Sequence, residues 1–201
     1  MAIDPSQFCL FNVADTCAVW NVLSSLLLYR TARSAGCSFC CTSFVRYECL
    51  FKPRTKPSVE DDELKSRFRA ECDNETIRTC EIEIADLQSV AMLANRRRLS
   101  KGELSSIAFA LRTKQAFLTD DQKARKLATE FLDYRMVQTT PHLFGWLYFT
   151  NQLIDTDKDS IIPEHERLKR PLTQFFEEMY VEALRCRLMA IRHVEEESGA
   201  N

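Results

Sequence analysis

Two short apolar runs, roughly a hundred residues apart, each stop on acidic residues and each lead into a helical stretch. The first is Phe11-Asn12-Val13-Ala14-Asp15-Thr16, and the second is Ala116-Phe117-Leu118-Thr119-Asp120-Asp121. Apolar runs of this length with such boundaries read as buried strands. Strand followed by helix, repeated along a chain, implies a parallel sheet covered on both faces. In open sheets of that kind ligands bind outside the carboxyl ends of the strands, which is where these acids fall.

The remaining pattern agrees with an α/β chain. A strand is predicted over residues 10–14 and a helix from Thr16 to Arg33, with Val19, Trp20, Leu23, Leu26 and Leu27 at helical spacing. The stretch from Phe39 to Leu50 begins extended and turns helical through Ser43. Lys52-Pro53-Arg54-Thr55-Lys56-Pro57 is a loop with two proline breakers. Ser58 is positioned to cap a helix over Val59 to Asp73, whose first turn holds Glu60, Asp61, Asp62 and Glu63, as the helix dipole favours. Thr79 to Ile84 alternates and reads as a strand, followed by a helix over Asp86 to Arg97. Ser100-x-x-Glu103 has the form of a capping box opening the next helix. A strand over Ala116 to Thr119, a helix over Gln122 to Leu132, a short strand over Met136 to Thr139 and a buried helix over His142 to Ile154 complete this unit. Residues 155–165 read as a charged connection, and 166–194 as one long amphipathic helix opened near Pro171. The expected division is therefore 1–154 as the principal domain and 155–201 as a helical extension that docks on the domain or on a partner.

Composition narrows the functional classes. Four glycines and six prolines in 201 residues argue against a loop-rich all-β fold. A net charge of −2 carries no global nucleic-acid signature, so such a partner must be held by local basic clusters. Three clusters qualify: Lys52, Arg54 and Lys56; Arg96, Arg97, Arg98 and Lys101; Lys123, Arg125 and Lys126. Any one of them, taken alone, fits a solvated helix face better. The apolar stretch from Val13 to Leu28 contains polar residues and lacks a basic flank before it, so it reads neither as a leader nor as a membrane span. Nine cysteines without a secretory leader suggest reduced thiols in a cytoplasm. Cys37, Cys40 and Cys41 lack the second pair that a zinc site requires and read as packing residues. Asp155-x-Asp157-x-Asp159 with Glu166 has the outline of a calcium loop, but Ser160 stands where glycine is needed and Pro163 interrupts it. His142, His165 and His193 show no ligand spacing.

Between the two strand-end acids lie Glu48, in Val45-Arg46-Tyr47-Glu48, and Glu103. Four carboxylates drawn together would form an anionic pocket suited to Mg²⁺ or Mn²⁺, hard cations that prefer carboxylate oxygen. A metal so held acts on phosphate esters. Each acid also has a plainer reading: Asp15 as a helix N-cap, Glu103 as a capping-box acid, Glu48 as a solvated helix charge. Capping and ligation can coexist in one side chain.

These features together resemble the PIN-domain nucleases, in particular their prokaryotic toxin-like members, over about residues 9–153. The resemblance lies in an apolar strand ending Asp15-Thr16, a helix-borne Glu48, the run Gly102-Glu103-Leu104-Ser105-Ser106-Ile107-Ala108, and Leu118-Thr119-Asp120-Asp121 followed by Ala124-Arg125. It implies a three-layer sandwich with a central parallel sheet, here with an extra C-terminal helix, and a metal-dependent endoribonuclease. It implies Asp15, Glu103 and Asp121 as metal ligands, with Glu48 completing the catalytic set directly or through water. The family spacing Thr-x-Asp favours Asp121 over Asp120. Thr16, Thr119 and Asp120 are then supporting residues, and Arg54, Arg98, Lys101, Lys123 and Arg125 would hold the RNA. An inhibitory protein partner and a homodimer are further expectations, and no membrane. The competing expectation is a PIN-like scaffold that binds RNA or protein without cutting; a DNA nuclease is the third.

Overall fold

A computed structural model describes residues 4–53, 56, 58–83, 85, 88 and 99–198. Five parallel strands form one sheet in the order β3-β2-β1-β4-β5: β1 Phe11–Ala14, β2 Ser38–Thr42, β3 Ile77–Cys80, β4 Ala116–Leu118 and β5 Val137–Gln138. Among the described residues the principal helices are α1 Thr16–Ser24, α2 Leu26–Ser34, α3 Ser43–Leu50, α4 Val59–Asp73, α5 Lys101–Thr113, α6 Gln122–Ala128, α7 Thr140–Phe149, α8 Lys158–Arg167 and α9 Thr173–Ser198.

Strand alternation builds the two faces. Val13, Cys40 and Phe117 are in register across β1, β2 and β4 and point to one side. There they pack with Ile107 and Phe109 of α5 and Ala124 and Leu127 of α6. Ala14, Phe39, Cys41 and Leu118 point to the other side and join the larger core with α1, α2, α4 and α7. The chain runs outward from β1 through β2 to β3, then returns to place β4 on the free side of β1. The direction of winding therefore reverses between β1 and β4, and at such a reversal the flanking helices diverge and leave a crevice at the carboxyl ends.

Several boundaries differ from the sequence expectation. The helix expected from Thr16 to Arg33 is two helices, broken at Ser25, whose backbone is extended (φ −118°, ψ 116°) and whose hydroxyl caps α2 at Leu28 N. Arg67 of α4 donates to the carbonyls of Leu23 and Ser24 at 2.8 and 3.1 Å, satisfying groups freed by the break. The strand after α4 is Ile77–Cys80, starting two residues earlier than the alternation suggested; Ile77 is buried and in register with Phe39 of β2. The helix expected over Asp86 to Arg97 lies outside the described residues except for position 88. Residues 155–165 are not a connection: Asp155–Asp157 form a 3-10 turn and α8 follows, burying Ile161, Ile162 and His165. That winding also dissolves the calcium-loop outline, since the Asp157 carboxylate accepts from Ile154 N at 2.8 Å and Glu166 sits on a helix.

The C-terminal helix lies along α7. Phe176 packs at a tilt on Phe144 with ring centres 4.6 Å apart, and Tyr180 meets Tyr148 edge-on at 5.0 Å. Phe176 and Ala183 are fully buried in the same core as α1 and α2. Among the described residues no helix is long and apolar enough to cross a membrane.

Candidate functional site

Asp15 stands at the carboxyl end of β1 and is fully buried. One oxygen accepts from Ala18 N at 2.8 Å, capping α1. The other accepts from the Thr119 hydroxyl, which follows β4. Asp15 N in turn donates to Leu118 O at 3.2 Å, so the ends of the two central strands are tied by both backbone and side chain. Burial pushes the Asp15 carboxyl up to about 7; the charges of Asp120 and Glu103 add to this, and its two hydrogen bonds oppose it.

The adjacent aspartates diverge. Asp120 turns toward α1 and α7: Asn21 Nδ2 and the Thr140 hydroxyl donate to one oxygen at 2.7 and 2.6 Å, and Thr140 N to the other at 2.9 Å. Burial raises its pKa against these bonds. Asp121 turns toward α6 and caps it, accepting from Lys123 N and Ala124 N at 2.7 and 2.8 Å. Its own N–H donates to the Thr119 oxygen at 3.1 Å, so Thr119 joins Asp15 and Asp121 in one chain of hydrogen bonds.

Glu48 and Glu103 approach from the helices. Thr16, one residue past Asp15, donates to Glu48 Oε2 at 2.7 Å. Lys52 Nζ lies 3.8 Å from Glu48 Oε1. Gly102 is what admits this carboxylate: a Cβ there would stand 2.5 Å from Glu48 Oε2 and 3.3 Å from the Thr16 hydroxyl. Glu103 completes a capping box with Ser100, accepting from Ser100 N at 2.6 Å while Ser100 Oγ accepts from Glu103 N at 3.1 Å. Burial pushes the Glu103 carboxyl up, and the charges of Asp121 and Glu48 contribute. The Thr42 and Ser105 hydroxyls, 2.6 Å apart, fasten α5 to the end of β2 beneath it.

Asp15, Glu48, Glu103, Asp120 and Asp121 therefore gather at the switch point from β1, α3, α5 and the end of β4, and they act on one another electrostatically. All are hard oxygen donors of the kind Mg²⁺ takes. Among the described residues, hydrogen bonds engage Oε2 of Glu103 and Oδ1 of Asp121 and leave the second oxygen of each for another ligand. In their present rotamers no three carboxylate, thiolate or imidazole groups among the described residues close on a common centre. The donor set fits a hard cation in chemistry; a bound ion would have to draw the side chains inward.

Of the basic residues proposed for substrate, Lys101 and Lys123 are exposed, and Arg125 is half-buried with its charge acting on Asp120. Arg54 and Arg98 lie outside the described residues. Asn21, Thr140 and Lys52 partner the acids from positions that no local sequence pattern marks. For Asn21 the available signal was a polar residue inside the apolar helix that follows Asp15. No protein-family model and no curated protein matches the chain.

Proposed function

We propose that this protein is a metal-dependent endoribonuclease of PIN-like architecture, hydrolysing RNA phosphodiester bonds. The observation that supports the reading is the convergence of mutually acting acids from four elements at the one reversal of the sheet. Asp15, Glu103 and Asp121 would hold Mg²⁺ or Mn²⁺, with Glu48 as a direct or water-bridged ligand. The ion would supply Lewis acidity at a phosphoryl oxygen. The chain's own residues hold the donors in place: Thr119 orients Asp15 and is itself fixed by Asp121 N, Ser100 fixes Glu103, and Thr16 fixes Glu48. Lys101 and Lys123 would take the phosphates on either side of the scissile bond. A cytoplasmic setting, an inhibitory protein partner and a homodimer belong to the same proposal.

A second reading, a PIN-like scaffold that binds without cutting, has one observation in its favour. Asp15, Asp121 and Glu103 each cap a helix and Asp120 latches two, so the fold itself gives these four side chains work. One experiment separates the readings: labelled RNA and DNA oligonucleotides incubated with Mn²⁺, Mg²⁺ or EDTA, wild type beside Asp121→Asn. Asparagine caps a helix as well as aspartate does, so the variant should fold. Metal-dependent cutting of RNA by wild type alone is the expected result. A folded wild type that cuts nothing in any metal favours the scaffold.

A further inference from the structure

Tyr47 and Phe51 are large aromatic side chains left 53% and 61% exposed. Tyr47 is on α3, the helix that carries Glu48, and Phe51 is its C-cap, four residues on. Phe51 keeps a right-handed helical backbone, so at about 100° per residue the two rings project within about 40° of each other on one flank of Glu48. Lys52 is itself 57% exposed at its side chain and lies beside the Glu48 carboxylate. Lys101, also exposed, precedes the Gly102 backbone against which Glu48 rests. The helix end is well fixed, since Phe51 N and Lys52 N both donate to Tyr47 O at 2.9 Å. Other exposed aromatics stand elsewhere: Phe11 opens β1 at the amino edge of the sheet, Phe175 is on α9, and Tyr134 lies under Arg135.

Two solvent-exposed rings beside cations are the combination that holds single-stranded nucleic acid, bases on the rings and phosphates on the cations. Bases within an A-form duplex are stacked on one another and do not offer a face to a protein ring, whereas bases in loops and single strands do. We infer that Tyr47 and Phe51 form a base-stacking platform beside the acidic pocket, the two rings taking unpaired bases of the RNA that the pocket would cut. The inference rests on the proposed nuclease reading for the position of the scissile phosphate. The exposed lysines next to this stretch, Lys52 and Lys101, favour a nucleic acid over an apolar protein segment as the occupant, because phosphates would pair with them and an apolar contact would not.

The test is binding in EDTA, where metal-dependent cutting is suppressed, followed by fluorescence anisotropy of an end-labelled single-stranded RNA. The same RNA carrying consecutive abasic nucleotides and a fully paired duplex are the comparison probes. The proteins are wild type and the double variant Tyr47→Leu, Phe51→Leu, in which leucine keeps helix propensity and apolar bulk but removes the rings. Stacking energies per base correspond to about tenfold in affinity. Wild type should therefore bind intact single strands at least tenfold more tightly than the abasic or duplex probes, and the double variant should bind all three alike. Equal binding of intact RNA by wild type and double variant overturns the inference and assigns the rings to another partner, such as a protein. Equal binding of single strand and duplex by wild type, or no binding at all, also overturns it. Cleavage in Mn²⁺ is read separately: ring-dependent binding without cleavage removes the nuclease reading and keeps the platform, and cleavage with ring-independent binding does the reverse.

Discussion

Replacing Asp15 with asparagine should make the metal-free protein more stable at neutral and alkaline pH. Asp15 is fully buried, and its carboxyl is displaced from 3.8 to about 7 chiefly by burial. In the unfolded chain the group loses its proton near 3.8, while in the fold it keeps it to about 7. Between these values the folded state binds more protons than the unfolded state, so stability falls as pH rises. At 1.36 kcal/mol per pH unit the full loss is about 4 kcal/mol, present above pH 7 and absent below pH 4. Asparagine preserves the cap, because its carbonyl can accept from Ala18 N as Asp15 Oδ1 does. Its amide can donate to the Thr119 oxygen, reversing the present bond. Urea unfolding in EDTA at pH 5, 6, 7 and 8, wild type against Asp15→Asn, gives the difference directly. The difference should grow steadily with pH in favour of asparagine and level off above pH 7. Adding Mg²⁺ at about a hundredfold over its Kd should return roughly 2.7 kcal/mol to wild type and nothing to the variant. A difference that does not change with pH, or a variant less stable than wild type at pH 8, would refute the assignment of burial as the dominant influence on this carboxyl.

Gly102→Ala places a Cβ 2.5 Å from Glu48 Oε2, so the carboxylate must leave Thr16. The lost charge-assisted bond, about 1.5–3 kcal/mol, is partly offset by about 1 kcal/mol of helix propensity. Calorimetry should show a small destabilisation while RNA cleavage falls at least tenfold; full activity would remove Glu48 from the site. His165 is fully buried with neither ring nitrogen hydrogen-bonded among the described residues, and burial lowers its pKa to about 4. Its folded pKa lies below its ordinary 6.5, so stability is lost as pH falls from 6.5 to 4, by about 3 kcal/mol. His165→Phe should abolish that acid-side loss in an unfolding titration, and a retained slope would point to other groups. Phe176→Ala should cost about 3–5 kcal/mol and lower the midpoint of a single unfolding transition; two separated transitions would show that α9 folds apart from the rest.

What could be read in advance was local. Ser58 and the Ser100–Glu103 box declare helix starts within four residues, and both caps form as the spacing requires. The extended start at Phe39 and the turn into helix at Ser43 are likewise visible as β2 and α3. The break at Ser25 was not, because α1 and α2 present their apolar residues to the same core and the carbonyls are rescued by Arg67, more than forty residues away. Helix α8 was hidden by its charge and by Pro163, since only Ile161, Ile162 and His165 face inward. The acids themselves were conspicuous at strand ends, but the separate directions of Asp120 and Asp121 depend on Asn21, Thr140 and α6, partners no local pattern assigns.

The pairing of β1 with β4 has a consequence for how the protein is made. The hydrogen bond from Thr119 to Asp15 spans 104 residues, against 32 for Thr16 to Glu48. Contacts of such separation form late, since a long loop must close before they repay its entropy. During vectorial synthesis a chain that has emerged only as far as α5 already carries Asp15, Glu48 and Glu103, yet β1 still lacks its β4 neighbour. The anionic cluster is therefore completed only when β4 docks and brings Asp120 and Asp121 to Asp15, and a growing chain shorter than that holds part of the set without the whole site.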